Sequence, residues 1–142
     1  MGYKLKIASV GKTKETWLDD ALNEYEKRLS KLLTIEWLFF KNDAQLLEFA
    51  DKESHLICLD PEGKQFKDSV EFGRYFLNVL EQQGSRLTLV IGGPEGIPNT
   101  LLERYPSIRL SNLTYTHQIV RLVLVEQIYR AFEIARGSPY HK

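Results

Sequence analysis

The sequence predicts an α/β domain built on a mostly parallel sheet with helices on both faces. Three observations predict it. Strand-like and helix-like segments alternate along the chain, the pattern that builds parallel sheets through helical crossovers. Two long segments place apolar residues at helical spacing. An apolar run, Leu87–Ile91, leads straight into the glycine-rich turn Gly92-Gly-Pro-Glu-Gly96. At 142 residues the chain fits one domain, residues 1–142, large enough to bury roughly two thirds of its unfolded surface.

In order, Tyr3–Val10 alternates and reads as a first strand. Glu15–Leu33 sets Leu18, Leu22, Tyr25, Leu29 and Leu32 at helical spacing, and Thr34–Phe40 is a β-branched and aromatic strand. Ala44–Ala50 predicts a short helix before a third strand, His55–Leu59. Asp60-Pro-Glu-Gly63 then reads as a turn. A helix from Asp68 to Gln83 is ended by Gly84. Arg86–Ile91 is the fourth strand, Ser107–Leu110 a short fifth, and Thr116–Ala135 the closing helix. No repeat or low-complexity tract interrupts this order.

Composition excludes several classes. No apolar run approaches the roughly 20 residues that span a bilayer, and no signal peptide opens the chain. The single Cys58 excludes an internal disulfide, fits a reducing cytosol, and reads as a buried structural thiol. Three scattered His give no zinc spacing, so no metal is expected. The net charge of zero argues against nonspecific coating of nucleic acid. Charge is nevertheless uneven. Residues 32–103 hold six Lys/Arg against twelve Asp/Glu, and residues 104–142 hold six against two. The basic excess coincides with the motif-rich end.

Ligands of parallel sheets sit beyond the carboxyl ends of the strands. Three loops leave such ends, Leu59–Gly63, Gly92–Ile97 and Leu110–Tyr115, and all three are expected to converge on one pocket. Gly92, Gly93 and Gly96 let backbone approach a ligand closely. The turn lacks the GxGxxG spacing, and no phosphate loop exists, so nucleotide cofactors are poorly supported.

Arg121 stands out. On the closing helix Glu126, Gln127, Arg130 and Glu133 define the wet face, and Arg121 falls about 180° from Arg130. It lies beside Val125, Ile128 and Phe132, in first turns where the helix dipole disfavours a cation. Such a charge is paired, aimed at a pocket or partner, or snorkelling at a fraying end. His117 reads as a capping or solvent-exposed residue. The tail Gly137-Ser-Pro-Tyr-His-Lys142 carries two groups able to handle protons or stack on bases, plus a cation, although such tails are usually disordered.

Together, LVIGGPEGI, LSNLTYTHQIVRLVLVEQIYRAF and the terminal PYHK resemble the ribosomal RNA large subunit methyltransferase H family. These are pseudouridine N3-methyltransferases of 23S ribosomal RNA, within the SPOUT superfamily. The match covers essentially the whole chain, including KLKIASVGKTKETWLDDALNEYEKRL and LICLDPEGKQF. The resemblance implies a SPOUT domain with a C-terminal trefoil knot, a topology pattern reasoning would not propose. It implies S-adenosyl-L-methionine held by positions matching Leu59, Gly92, Leu110, Ser111, Asn112, Leu113, Thr114 and Tyr115. It also implies a cytoplasmic homodimer in which Tyr140 and His141 reach the partner's pocket. Some members end in Pro-Tyr-His-Arg and one more residue. Lys142 keeps that cation without its bidentate fork.

Methyl transfer needs donor and acceptor held in line, and the imide nitrogen of pseudouridine is easier to methylate once its proton is removed. Arg121 is assigned to anion or phosphate stabilisation, His141 or Tyr140 to positioning and possible proton removal, and His117 and Lys142 to the substrate. Without an appended RNA-binding module, the expected substrate is the assembled ribosome rather than naked RNA. Competing readings are a SPOUT methyltransferase with another RNA target, a non-catalytic ligand-sensing or ribosome-binding module, and, distantly, a Rossmann-type oxidoreductase.

Overall fold

The computed structural model describes residues 2–12 and 15–141. Five strands form one sheet in the order β2-β1-β4-β3-β5, and every strand pairing in it is parallel. The strands are β1 (Tyr3–Val10), β2 (Leu33–Phe40), β3 (His55–Lys64), β4 (Leu87–Ile91) and β5 (Ser107–Ile108). The helices are α1 (Thr16–Leu29), α2 (Asp43–Ala50), α3 (Ser69–Gln83), α4 (Asn99–Arg104) and α5 (His117–Ala135), with a single 3₁₀ turn at Gly84–Arg86.

Alternation along the strands sorts side chains onto two faces. Leu5 and Ile7 of β1, Ile57 of β3, and Leu87, Leu89 and Ile91 of β4 pack with Leu18, Phe72, Phe76, Leu124 and Ile128 of α1, α3 and α5. Ala8, Leu56, Cys58 and Val90 point the other way, onto Leu46 and Ala50 of α2 and Leu101 of α4. Strand β4 is therefore buried along its whole length, as a central strand covered on both faces must be.

Caps fix where helices begin. Asn42 Oδ1 accepts from the Gln45 amide at 2.9 Å and Asp68 Oδ1 from the Glu71 amide at 2.9 Å. Gln45 and Glu71 reach back to the Lys41 and Lys67 amides, satisfying a second donor at each end. Thr116 Oγ1 caps α5 by accepting from Ile119.

Several expectations need correction. Helix α1 stops at Leu29, and Leu32 is exposed rather than part of its apolar stripe. Strand β3 does not end at Leu59: it continues to Lys64, pairing with Ile108 at both Leu59 and Lys64 while the residues between bow around it. Helix α4 is unanticipated, because six residues are too short to display a helical period. Glu133, assigned to the wet face, is only 6% exposed, its carboxylate taken up by Arg136 and Ser138.

Candidate functional site

The three expected segments converge, although the first of them lies within β3 rather than beyond its end. A cavity of about 590 Å³ is lined by Leu59, Asp60 and Pro61 after the first part of β3, and by Ile91, Gly92, Gly93, Pro94 and Gly96 around the end of β4. Arg109 to Thr116 follow β5, and His117, Gln118 and Val120 come from the start of α5. The volume lies in the range of small-molecule sites.

Glycine is required where the walls meet. A Cβ on Gly63 would stand 2.6 Å from the backbone of Ile108, and one on Gly92 2.7 Å from the carbonyl carbon of Gly96. Gly96 has φ of 83°, a left-handed conformation that closes the turn through its amide to the Gly93 carbonyl at 3.0 Å. The walls are then tied across loops. The Arg109 amide donates to the Lys64 carbonyl at 3.0 Å, and its guanidinium donates to the Pro61 carbonyl and to Gln65. Arg109 Nε is buried without a hydrogen-bond partner among the described residues.

The chemistry of the lining suits a nucleoside joined to a small charged group. Leu59, Ile91, Leu110 and Val120 offer apolar surface, and Leu110 to Thr116 offer backbone donors and acceptors. The ionisable side chains on the wall are Asp60, Arg109, Tyr115 and His117. Asp60 stays close to its own loop, accepting from the Glu62 amide at 3.0 Å. Leu113 is 71% exposed, so the third loop presents an apolar side chain outward.

All the residues expected to hold a cofactor, Leu59, Gly92, Gly93, Gly96 and Leu110 to Tyr115, line this cavity, and so does His117. Arg121 does not. It is fully buried behind the wall, where Nη2 donates to Ser9 Oγ and to the Gly11 carbonyl, both at 3.2 Å. Its guanidinium lies 4.9 Å from the ring centroid of Phe39. Its Nε and Nη1 lack partners among the described residues. Burial lowers its affinity for a proton, and the negative charge of Asp19 partly offsets this.

Tyr140 and His141 also stand apart from their own chain's cavity. The tail folds back on α5: Tyr140 packs edge-on against Tyr129 at 4.8 Å and donates to Glu126 Oε2 at 2.6 Å. His141 Nδ1 lies 2.9 Å from Arg130 Nη1. Burial, then the hydrogen bond to Glu126, holds the Tyr140 hydroxyl well above the usual tyrosine range, so it stays protonated. Lys142 lies outside the described residues. Cys58 is fully buried on the α2/α4 face, its thiol pushed up to about 11 by burial and then by Asp60. Among the described residues, no group of three or more His, Cys, Asp or Glu is placed to hold a metal, and no helix is long and apolar enough to cross a membrane.

Sequence reasoning missed Arg109 and the tail-holding pair Glu126 and Arg130. The second was accessible: an acidic residue four before an arginine on one helix face marks an ion pair.

Comparison with known proteins agrees with this architecture. Residues 3–141 match the family described as "Predicted SPOUT methyltransferase". The chain is 58% identical over 139 residues to "Ribosomal RNA large subunit methyltransferase H" of Protochlamydia amoebophila, covering 98% of this chain and 99% of the relative. It is 38% identical to the protein of that name from Enterococcus faecalis, covering 98% and 99%. A solved chain from work on "2-OH methylation of C/U34 on tRNA" shares the fold, with a TM-score of 0.52 at 11% identity over 96% of this chain and 94% of that one. On the full-length family match and the 58% identity, the chain belongs to the SPOUT methyltransferase family.

Proposed function

We propose that this methyltransferase transfers a methyl group from S-adenosyl-L-methionine to N3 of a pseudouridine in 23S ribosomal RNA, acting on the assembled ribosome as a cytoplasmic homodimer. The observation that carries the reading is the meeting of the bowed part of β3 with the exits of β4 and β5 in one cavity of nucleoside-accommodating size. The names of the relatives at 58% and 38% identity direct it to ribosomal RNA. The family match supports a C-terminal segment threaded as a trefoil knot.

The donor supplies a methyl group on a positively charged sulfur, and the products are the methylated base and S-adenosylhomocysteine. The protein's own residues do the rest by holding and excluding. Leu59, Gly92, Gly93, Gly96 and Leu110 to Tyr115 form the donor cradle. Leu113 and Tyr115, both exposed, border it where the base must arrive. His117 lines the mouth of the cradle and, with Lys142, contacts the RNA.

Arg121 sits one helical turn beyond His117, behind the cradle, and bonds the carbonyl of Gly11 at the exit of β1. We assign it to electrostatic stabilisation of the anion that forms as the imide loses its proton, an effect strengthened by its dry surroundings. Tyr140 and His141 complete the partner's site and orient the base. Their placement against the far half of α5, away from their own cavity, supports this assignment in trans.

The test is methyl incorporation into ribosomes from a strain lacking the enzyme, with the product mapped, on particles with and without the isomerised base. Labelling confined to N3 of the pseudouridine supports the proposal. Equal labelling of protein-free RNA fragments refutes the requirement for the ribosome.

A further inference from the structure

The tail is held by a closed set of contacts, and that set dictates what His141 can do. Glu133 binds Arg136 through two hydrogen bonds of 2.8 Å and accepts from Ser138 Oγ at 2.9 Å, fixing the turn at Gly137, whose φ is 73°. Ser138 Oγ in turn accepts from the Tyr140 amide at 3.2 Å. Two turns back along the helix, Glu126 is saturated. Its Oε1 accepts from Gln127 and Arg130 Nε, and its Oε2 from Arg130 Nη2 at 2.7 Å and from the Tyr140 hydroxyl. A carboxylate offers about four acceptor positions, and all four are taken. Arg130 is thereby clamped in a fork and lies 5.0 Å from the Tyr140 ring centroid. Its remaining Nη1 faces His141 Nδ1.

An arginine has no acceptor and stays protonated in proteins. The His141 Nδ1 it meets must therefore carry the lone pair, which puts the ring proton on Nε2. We propose that the Glu126–Arg130 pair positions His141 as a neutral imidazole whose Nε2–H donates a hydrogen bond to the pseudouridine ring. His141 would then stabilise negative charge on a base carbonyl rather than take the proton from N3. Glu126 and Arg130 act as positioning residues. The groups around the pair are Tyr140 on the tail, Tyr129 on α5, and Tyr25 with Arg28 on α1. Among the described residues, the carboxylate that holds Arg130 is that of Glu126. This rests on the reading that the tail completes the partner's site.

Two measurements test it. Long-range proton–nitrogen NMR of the labelled dimer, assigned with His141→Gln, reports which ring nitrogen is bare. The proposal requires a bare Nδ1 and a protonated Nε2, with averaging between tautomers in Arg130→Met. A protonated Nδ1, or a pattern unchanged in Arg130→Met, overturns it. Methyl transfer to ribosomes supplies the second arm. A glutamine amide copies an Nε2–H donor but is not a base. His141→Gln should therefore retain turnover within about tenfold while His141→Ala loses about a hundredfold, the scale of one lost donor to a developing anion. Equal losses in the two variants make His141 the base and overturn the proposal. Full turnover in both removes the tail from the site, and the underlying reading fails with it, whatever the spectrum shows.

Discussion

Gly63 and Ile108 meet backbone to backbone, with no room for even one methyl group between them. That contact clamps the exit of β3 to β5, and it brings the first and third walls of the cavity together. Ile108 is 2% exposed, so the clamp is also part of the core. The donor cradle is thus tied to the core through Ile108, which suits a site that works by rigid positioning.

Gly63→Ala tests the clamp. The added Cβ must push Ile108 aside, and overpacking of this kind costs about 1–3 kcal/mol. Urea denaturation should show that loss, and calorimetric titration should show weaker binding of S-adenosylmethionine. An unchanged affinity would mean that the cavity tolerates separation of the two walls.

Arg121→Ala should lower turnover by about a hundredfold if its charge, acting from behind the cavity wall, stabilises the anion that forms on the base. The effect should fall on kcat in methyl incorporation, with donor affinity little changed, because Arg121 does not line the cavity. Unaltered turnover would reduce Arg121 to a tie between α5, Ser9 and Gly11.

Action of the tail in trans predicts complementation. A chain lacking residues 139–142 keeps its cradle and loses its tail, whereas Gly92→Val keeps its tail and, through the clash with Gly96, loses its cradle. Each homodimer should be inactive. Mixed dimers formed by unfolding and refolding the two together should recover activity at one of their two sites. Inactive mixed dimers would place the tail in cis.

Tyr140 makes a prediction about alkaline stability. Its hydroxyl holds its proton more tightly in the fold than in the unfolded chain, because of burial and then Glu126. Its contribution is complete below the unfolded tyrosine value of about 10 and is lost as pH rises beyond it. Stability should therefore fall above that pH, and Tyr140→Phe should flatten the decline, as measured by thermal unfolding across the alkaline range.

Much of this architecture is legible in the sequence, for identifiable reasons. The apolar run Leu87–Ile91 and the alternation in Tyr3–Val10 mark strands, and Gly92-Gly-Pro-Glu-Gly96 marks a strand end where backbone is exposed to a ligand. The burial of Arg121 follows from its angle relative to Arg130. Other features depend on contacts remote in sequence. Asp60-Pro-Glu-Gly63 reads as a plain turn because its partner, Ile108, is 45 positions further on than Gly63. Glu133 reads as solvated because one of its partners, Ser138, becomes a neighbour only when the chain reverses at Gly137, while Arg136 sits one turn further along the helix. The tail reads as disordered because nothing local ties it down. Its ties to Glu126 and Arg130 are contacts across a turn.

The most direct test of the cradle is titration of the labelled protein with S-adenosylmethionine, following backbone amide resonances. The account predicts one saturable site per chain, with the largest shifts in residues 59–63, 92–97 and 110–115. Absence of saturable binding, or shifts centred outside those three loops, would contradict it.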